Sequence, residues 1–460
     1  IQMGGGGMNG SVPGLSGFGP QSELASGYVT YGSDSGHQLM DDEWALNDEA
    51  IGNLAHMQMK KTHDATMAII QQAYGRLPEF NYYVGGSQGG REALTVAQRY
   101  ADDYDGVLST VPIVGFSTLM TAPTRIRIQE KALANWVPPQ KGQALLAEFM
   151  RQCDNLDGLN DGIINNYVDC RAIFNVNDDQ GPDAPWQALQ CPGDVDPAPD
   201  NAGSDACLTS AQIETLDLLF SDLEPGIQLP NGRSNFGMWA PTTAVANSGP
   251  FGGLFSGTRY RGQEGAAADA PVFAALGSIG VNGIMMQDIN ADPLDFNLAQ
   301  HGARYQQLAP WLDSTQSDLS DFAAKGGKLI VIVGTDDTIA PSGEQLNYYQ
   351  SVVDTMGRTQ VDAFARLWVL PQTGHGLSGR SAAIDGSGAS IEPREIPATL
   401  ARLALLTRWV EEGEAPGMSE TVTGASGSLP ICSFPTYPHY TGGSINEADS
   451  YSCAKPTFSN

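Results

Sequence analysis

Long apolar runs and basic residues are both scarce in this sequence. No apolar run approaches the roughly 20 residues that a membrane-spanning helix needs, and no charged-then-apolar leader opens the chain. The chain has 24 Lys and Arg against 52 Asp and Glu, which gives a formal net charge of −28. Such an acidic protein repels nucleic acid and anionic membranes. We therefore expect a soluble, mature chain that binds neither nucleic acid nor membrane.

Closely spaced cysteine pairs are also missing. None of the six cysteines has the CxxC spacing of a zinc or redox site. Pairing of neighbours is the simplest interpretation, and it would close three short loops: Cys153 with Cys170, Cys191 with Cys207, and Cys432 with Cys453. Such bridges are typical of oxidising compartments, which favours a secreted or periplasmic protein. The alternative is a cytosolic enzyme with six buried free thiols.

The apolar pattern divides the chain into three parts. With 460 residues, the chain is longer than one small core needs. Over residues 1–112, short strand-like runs such as Tyr28 to Tyr31 alternate with helical stretches such as 51–74, which predicts an α/β fold with a parallel sheet. Over residues 113–316 the periodicity weakens and four of the six cysteines occur, which indicates a large insertion over the core.

The α/β pattern resumes over residues 317–460. Lys328 to Val333 and Ala365 to Leu370 are predicted strands, and a last amphipathic helix is predicted from about Pro397 to Glu412. From Glu414 onward we expect a loop-like tail pinned by the last two cysteines. The predicted core is thus interrupted by the insertion and then completed.

The segment Gly85 to Arg91 carries a G-x-S-x-G motif centred on Ser87. It follows a strand-like run at 80–84 and precedes a helix-like run at 92–100. On a tight strand-to-helix turn, small flanking residues hold a strained serine with its hydroxyl exposed at the sheet edge. Ser87 is therefore a candidate nucleophile. In a chain with 54 Gly, an ordinary glycine-rich turn is the alternative.

A serine nucleophile needs a base that a carboxylate orients, and suitable partners follow Ser87 in the order Asp then His. Asp337 comes just after the strand that ends at Val333, with Asp336 as its rival. His375 follows the strand that ends at Leu370 and lies between two glycines. The only other histidine after Asp337 lies in the Pro-rich tail. Ser87, His375 and Asp337 would together transfer an acyl group to water. The alternative for His375 is an ordinary loop histidine.

An oxyanion hole for this reaction needs two backbone donors. The first candidate is the N–H of Gln88, directly after the nucleophile. The second comes from the run Gly4–Gly7, which follows the first strand and offers Gly5 and Gly6. A flexible terminus is the alternative for these glycines.

A second candidate site lies in the acidic segment that begins at residue 154. Asp154, Asp157 and Asp161 are spaced by three and four residues, with glycines for sharp turns. Together with the carbonyl groups of Leu159 and Ile163, they are suitable ligands for a hard cation, and calcium fits best. The spacing is not that of an EF-hand loop. Solvated Asp-Gly turns are the alternative.

Taken together, these motifs resemble those of the tannase and feruloyl esterase family over nearly the whole sequence. The resemblance rests on Gly4–Gly7, Ser33–His37, the Ser87 elbow with Gly89-Gly90-Arg91, Asp105-Gly106, Gly326–Leu329 and the Asp337 and His375 loops. It implies an α/β-hydrolase core, a large inserted lid over 113–316 and a structural calcium ion. The family's calcium segment, C-D-x-x-D-G-x-x-D-G, is matched by Cys153–Gly162 at every fixed position. By this similarity the calcium ligands are Asp154, Asp157, Leu159, Asp161 and Ile163.

The sequence departs from that family in two places. The family usually has one cysteine directly before the nucleophile and another directly after the catalytic histidine, joined as a disulfide. Gly86 and Gly376 stand there instead, so we expect a triad held by packing alone. The family's core also has strands before the glycine run, whereas this chain opens almost at that run. We therefore expect a fragment or a processed form.

The resemblance implies a secreted serine esterase for aromatic carboxylic esters of the feruloyl, galloyl or terephthaloyl monoester type. Lid residues would shape the acyl pocket, although aromatic residues in a lid also form its own core. The candidates are Phe236, Trp239, Phe251, Phe255 and Tyr260, with Arg259 or Arg261 as a carboxylate clamp. The alternatives are a serine peptidase or aliphatic esterase on the same scaffold, and a catalytically silent, calcium-stabilised binding module. The sequence leaves the oligomeric state open.

Overall fold

The computed structural model describes residues 1–16, 23–38, 42–177, 181, 184–237, 239–240, 242 and 280–458. A five-stranded sheet lies at its centre, with the strands side by side in chain order and all parallel. The strands are β1 (Gln2–Met3), β2 (Tyr82–Gly86), β3 (Gly106–Thr110), β4 (Lys328–Gly334) and β5 (Ala365–Leu370). The predicted α/β fold with a parallel sheet is confirmed.

Helices connect and flank these strands. In chain order the α-helices are α1 (Asp48–Gly52), α2 (Gln58–Tyr74), α3 (Gln88–Arg99), α4 (Phe116–Gln129), α5 (Gly142–Cys153), α6 (Tyr167–Phe174), α7 (Ser210–Phe220), α8 (Leu298–Leu312), α9 (Ser320–Ala324), α10 (Ser342–Met356), α11 (Arg358–Asp362) and α12 (Arg402–Glu411). A π-helical turn at Asn53–Met57 joins α1 to α2. Within the described ranges, no helix is both long and apolar enough to cross a membrane.

Both faces of the central sheet are buried, as a parallel sheet requires. Successive residues of β4 point to opposite faces: Val331 belongs to one apolar cluster, and Ile330 and Ile332 belong to another. A third cluster is built mainly from residues between β3 and β4, including Phe149, Trp186 and further aromatic side chains. The insertion therefore has an apolar core of its own. The proposed boundaries at 112 and 316 remain predictions.

Two predicted segments differ from the structure. Of the predicted strand at 28–31, only Tyr31 pairs, through an isolated bridge to Gln2. The tail is not loop-like, because it forms two antiparallel pairs: β6 (Ser419–Gly424) with β7 (Gly427–Cys432), and β8 (Tyr437–Tyr440) with β9 (Tyr451–Ala454). The many Gly, Ser and Pro residues of the tail give these short strands no local strand signal, because their pairing depends on tertiary packing more than on local preference.

The predicted pairing of neighbouring cysteines is confirmed. Disulfides join Cys153 to Cys170, Cys191 to Cys207, and Cys432 to Cys453. The first closes a loop around the acidic segment 154–163, and the third ties β7 to β9. The third disulfide thus closes the tail on itself, and an isolated bridge from Ser433 to Trp368 of β5 joins the tail to the central sheet.

Candidate active site

Ser87 lies on a sharp turn between β2 and α3. Its backbone has φ 62° and ψ −125°, a conformation that is rare for a residue with a side chain. The turn is held because the Ser87 N–H donates to the Thr110 carbonyl at 2.9 Å and its own carbonyl accepts from Arg91 N–H at 3.1 Å. The nucleophile-elbow conformation that the motif predicts is therefore present.

Close packing of glycines brings the run Gly4–Gly7 against this elbow. A Cβ atom on Gly4 would lie 2.6 Å from the Cα of Gly89, and a Cβ on Gly89 would lie 2.7 Å from the Gly5 carbonyl oxygen. A Cβ on Gly85 would also collide with Gly89, at 2.2 Å from its carbonyl oxygen. The bare backbones therefore place the glycine run beside the first turn of α3, which begins at Gln88 directly after Ser87.

Asp337 and His375 lie together at the carboxyl ends of β4 and β5. The distance from His375 Nδ1 to Asp337 Oδ2 is 2.7 Å. The other carboxylate oxygen, Oδ1, accepts from the N–H groups of Ile339 at 2.8 Å and Ala340 at 2.9 Å. The Asp337 side chain is fully buried, whereas His375 keeps 15% of its side chain exposed. The carboxylate is thus fixed, and the imidazole it holds still reaches the surface of the site.

The His375 imidazole experiences two opposing effects. Burial lowers its pKa, but the charge of Asp337 and the hydrogen bond to it raise the pKa, and the net direction is upward from 6.5. The Nδ1–H group donates to the carboxylate, which leaves Nε2 as the atom that can accept a proton. This is the protonation state that a general base needs.

Asp336, the rival of Asp337, points elsewhere. Its Oδ1 accepts a short hydrogen bond from the Thr242 hydroxyl, while its Oδ2 is buried and accepts no hydrogen bond from the described residues. Burial raises the pKa of the Asp336 carboxyl to about 7, against the hydrogen bond from Thr242. Asp337 is therefore the carboxylate that contacts the imidazole.

The two predicted oxyanion glycines have different surroundings. The Gly5 N–H donates to Glu92 Oε2 at 2.8 Å, so it is already engaged. Gly6 is exposed, and no atom lies within 4 Å of the position where its Cβ would be. Gly6 and Gln88 therefore remain the candidate donors. Glu92 cannot be recognised from the sequence, because nothing near it along the chain marks a buried carboxylate on α3.

Three aspartates of the proposed calcium segment lie in a compact, buried loop. Asp154 and Asp157 are fully buried, and burial raises the pKa of each to about 7, with the nearby Asp161 carboxylate adding to the shift. Arg394 donates to Asp161. Among the described residues, no donor bonds the carbonyl oxygens of Leu159 and Ile163. An excess of buried negative charge beside two available carbonyl oxygens fits a bound cation.

Two other groups bring potential metal ligands closer together than these aspartates. One is Cys191, Asp196 and Cys207, whose sulfurs are joined in a disulfide. The other is His63, Asp64 and Asp103, where the Lys60 ammonium already bonds both carboxylates. Neither group needs a metal ion.

Two of the lid residues predicted to line the acyl pocket lie among the described residues, and neither faces an open pocket. Phe236 and Trp239 are each 1% exposed and belong to the core of the insertion. Their interpretation as lid core, left open by the sequence, fits better than a role in lining the pocket. The remaining candidates lie outside the described residues: Phe251, Phe255, Arg259, Tyr260 and Arg261.

The sequence is similar to those of known esterases. The model of the family "Tannase and feruloyl esterase" matches residues 1–454. An uncharacterized esterase of Agrobacterium fabrum is 31% identical over 99% of this chain and 80% of its own length. Mono(2-hydroxyethyl) terephthalate hydrolase of Piscinibacter sakaiensis is 28% identical over 98% of this chain and 79% of its own length.

The fold is similar to that of a solved esterase. The crystal structure of feruloyl esterase B from Aspergillus oryzae superposes with a TM-score of 0.77, covering 98% of this chain and 84% of that one at 24% identity. This likeness supports the α/β fold. With the family model matched along almost the entire sequence, the chain belongs to the tannase and feruloyl esterase family of carboxylic ester hydrolases.

Proposed function

We propose that this protein hydrolyses esters of aromatic carboxylic acids through a serine nucleophile and an acyl-enzyme. The observation that carries the proposal is the strained Ser87 elbow, at φ 62°, in a chain whose Asp337 and His375 form a hydrogen-bonded pair at 2.7 Å. The substrate class follows from relatives whose names refer to feruloyl and terephthaloyl esters. Feruloyl, galloyl and terephthaloyl monoesters are therefore the first substrates to test.

In the proposed reaction, Ser87 Oγ attacks the acyl carbon while His375 Nε2 takes the hydroxyl proton. Asp337 keeps the imidazole in the required tautomer and stabilises the imidazolium. The N–H groups of Gln88 and Gly6 would receive the negative oxygen of the tetrahedral intermediate. The intermediate collapses when the alcohol leaves with the proton from His375. Water, deprotonated by His375, then attacks the acyl-enzyme and releases the acid.

A substrate panel with a nucleophile variant tests this proposal. We expect methyl ferulate, methyl gallate and mono-hydroxyethyl terephthalate to be hydrolysed faster than aliphatic p-nitrophenyl esters or peptides. Ser87→Ala should abolish turnover, while Ser351→Ala on α10 serves as the matched control. Turnover that survives in Ser87→Ala would contradict the nucleophile. Preference for peptides or aliphatic esters would contradict the substrate class, and wild type inactive on every ester would favour a binding module.

We also propose that Asp154, Asp157 and Asp161, with the Leu159 and Ile163 carbonyls, hold a structural calcium ion. Support comes from the buried, mutually repelling carboxylates and from the Cys153–Cys170 disulfide that closes the loop. A bound ion stabilises the folded state by mass action, so EDTA should lower the Tm and added Ca²⁺ should restore it. At temperatures below the lowered Tm, a fluorophosphonate should still label Ser87 in the presence of EDTA. An unchanged Tm, with no calcium found by elemental analysis, would contradict the site.

A secreted or periplasmic location is the final part of the proposal. It is supported by the three disulfides, which persist in oxidising compartments. Fractionation of the native producing cells, with non-reducing mass analysis of the recovered protein, tests it. Recovery from the cytosol with reduced cysteines would contradict it.

A further inference from the structure

We infer that Glu92 is a positioning residue for the oxyanion loop, defined as residues 4–9. This inference rests on the proposed function and concerns how its second oxyanion donor is oriented. Glu92 lies on the first turns of α3, five residues after Ser87, and is fully buried. Its carboxylate contacts the loop directly and does not touch the reacting atoms.

Two of the four hydrogen bonds to Glu92 come from the loop itself. Gly5 N–H donates to Oε2 at 2.8 Å, and Asn9 Nδ2 donates to Oε1 at 2.6 Å. These two contacts bracket Gly6, whose carbonyl accepts from Asn9 N–H at 2.8 Å. The carboxylate therefore holds the Gly4–Gly5 peptide, which lies one peptide before the Gly6 N–H, and the side chain of Asn9, whose own N–H closes the turn after Gly6. These two anchors restrict the directions that the Gly6 N–H can take.

The other two hydrogen bonds tie the carboxylate to rigid elements. Tyr83 OH on β2 donates to Oε2 at 2.9 Å, and Gln58 Nε2 on α2 donates to Oε1 at 3.1 Å. Four hydrogen-bond donors stabilise the negative charge of the buried Glu92 carboxylate, and they do so before an oxyanion forms nearby. The neighbouring Arg91 guanidinium, also fully buried, adds a compensating positive charge.

Loop geometry explains why a carboxylate is needed here. Gly4 N–H is already bonded to the Val84 carbonyl at 2.9 Å, which continues the β1–β2 pairing. After that point the loop leaves the sheet, and its next peptide finds its acceptor on α3 instead of on a strand. Without Glu92, the Gly5 N–H would lose its partner at the point where the loop passes the elbow. An oxyanion donor that is loosely held stabilises the transition state less.

Kinetic comparison of Glu92→Met with Glu92→Gln tests the positioning role. Methionine is similar in length but offers no comparable acceptor, whereas glutamine keeps one carbonyl oxygen for Gly5 N–H. For Glu92→Met we expect kcat to fall by about 10²-fold with KM within about threefold, as for the loss of one oxyanion donor. The rate of fluorophosphonate labelling should fall in parallel. Glu92→Gln should restore most of kcat.

Matched variants separate positioning from a structural role. Tyr83→Phe removes one hydrogen bond from the same carboxylate but leaves both loop contacts, so its kcat should be that of the wild type even where its Tm falls. If Glu92→Met does not fold, Asn9→Gly replaces it, because Asn9 has φ 55° and glycine accepts that backbone without strain. Asn9→Gly should lower kcat by about tenfold at unchanged KM.

Three results would overturn the inference: a folded Glu92→Met with wild-type kcat, a change confined to KM, or an equal loss of kcat in Tyr83→Phe. If Asn9→Gly is used instead, wild-type kcat in that variant would also overturn the inference. Ser87→Ala is measured alongside. If Ser87→Ala stays active, the proposed function fails; if it is inactive while the Glu92 variants keep kcat, only the positioning role fails.

Discussion

His375 Nδ1 lies 2.7 Å from Asp337 Oδ2, and that carboxylate is itself held by two backbone N–H groups through its other oxygen. The imidazole is thus oriented by a carboxylate whose own rotation is restricted by these hydrogen bonds. Asp336, one residue earlier, is bonded to Thr242 instead. Under the proposed mechanism, the two adjacent aspartates should therefore differ in their effect on kcat.

Replacing each aspartate by asparagine should separate the two. Asp337→Asn keeps the shape but favours the wrong imidazole tautomer, so kcat should fall by about 10⁴-fold. Asp336→Asn should keep kcat within about threefold of the wild type, because the Asp336 carboxyl does not contact His375. Steady-state kinetics on one aromatic ester measures both. A large loss in Asp336→Asn with little loss in Asp337→Asn would reverse the assignment.

The pH profile should report the His375 imidazole. Burial lowers its pKa but the Asp337 carboxylate raises it more, so the net pKa lies above 6.5. In the proposed mechanism the neutral imidazole is the active form, so activity should be lost as pH falls through that pKa. We expect the acid limb of kcat/KM to have its midpoint above pH 6.5. A midpoint below 6.5 would contradict the Asp337–His375 pairing as the dominant influence.

Asp336 should instead affect stability. Its pKa is raised from 3.8 to about 7 in the folded protein, so it keeps a proton that the unfolded chain releases. Stability contributed by this group therefore falls as pH rises from about 4 to about 7. Asp336→Asn should raise the Tm by roughly 1 to 3 °C at pH 8 and give no gain at pH 4. Thermal melts at both pH values measure this, and an equal effect at both would contradict a buried neutral carboxyl.

The missing inter-loop disulfide should be restorable. A Cβ on Gly86 would come no closer than 3.7 Å to its neighbours, a Cβ on Gly376 no closer than 3.9 Å, and neither glycine has a positive φ. Both positions therefore have room for a cysteine side chain. If the two loops align with those of the family, Gly86→Cys/Gly376→Cys should form a bridge, seen as the loss of two hydrogens by intact mass, and stabilise the fold by about 2 kcal/mol. Single Cys variants are the controls. Two free thiols in the double variant would mean that these loops are wrongly aligned with the family.

The sequence predicted the elements that carry their own local signal. The elbow at Ser87 and the apolar strands before Asp337 and His375 were readable because motif and periodicity coincide there. The network around Glu92 could not be predicted, because its partners come from three elements, of which the loop 4–9 and α2 lie far from Glu92 in the chain. The tail strands were not predicted for a related reason. Ser419–Gly424 is short and mostly exposed, and it forms a strand only because it pairs with Gly427–Cys432.

Peptide mapping of the wild-type protein after fluorophosphonate labelling identifies the nucleophile directly. We expect one phosphonylated residue, Ser87, with hydrolysis of aromatic esters lost in proportion to labelling, and no label in Ser87→Ala. Labelling at another serine, or full ester hydrolysis by protein in which Ser87 is completely modified, would contradict it.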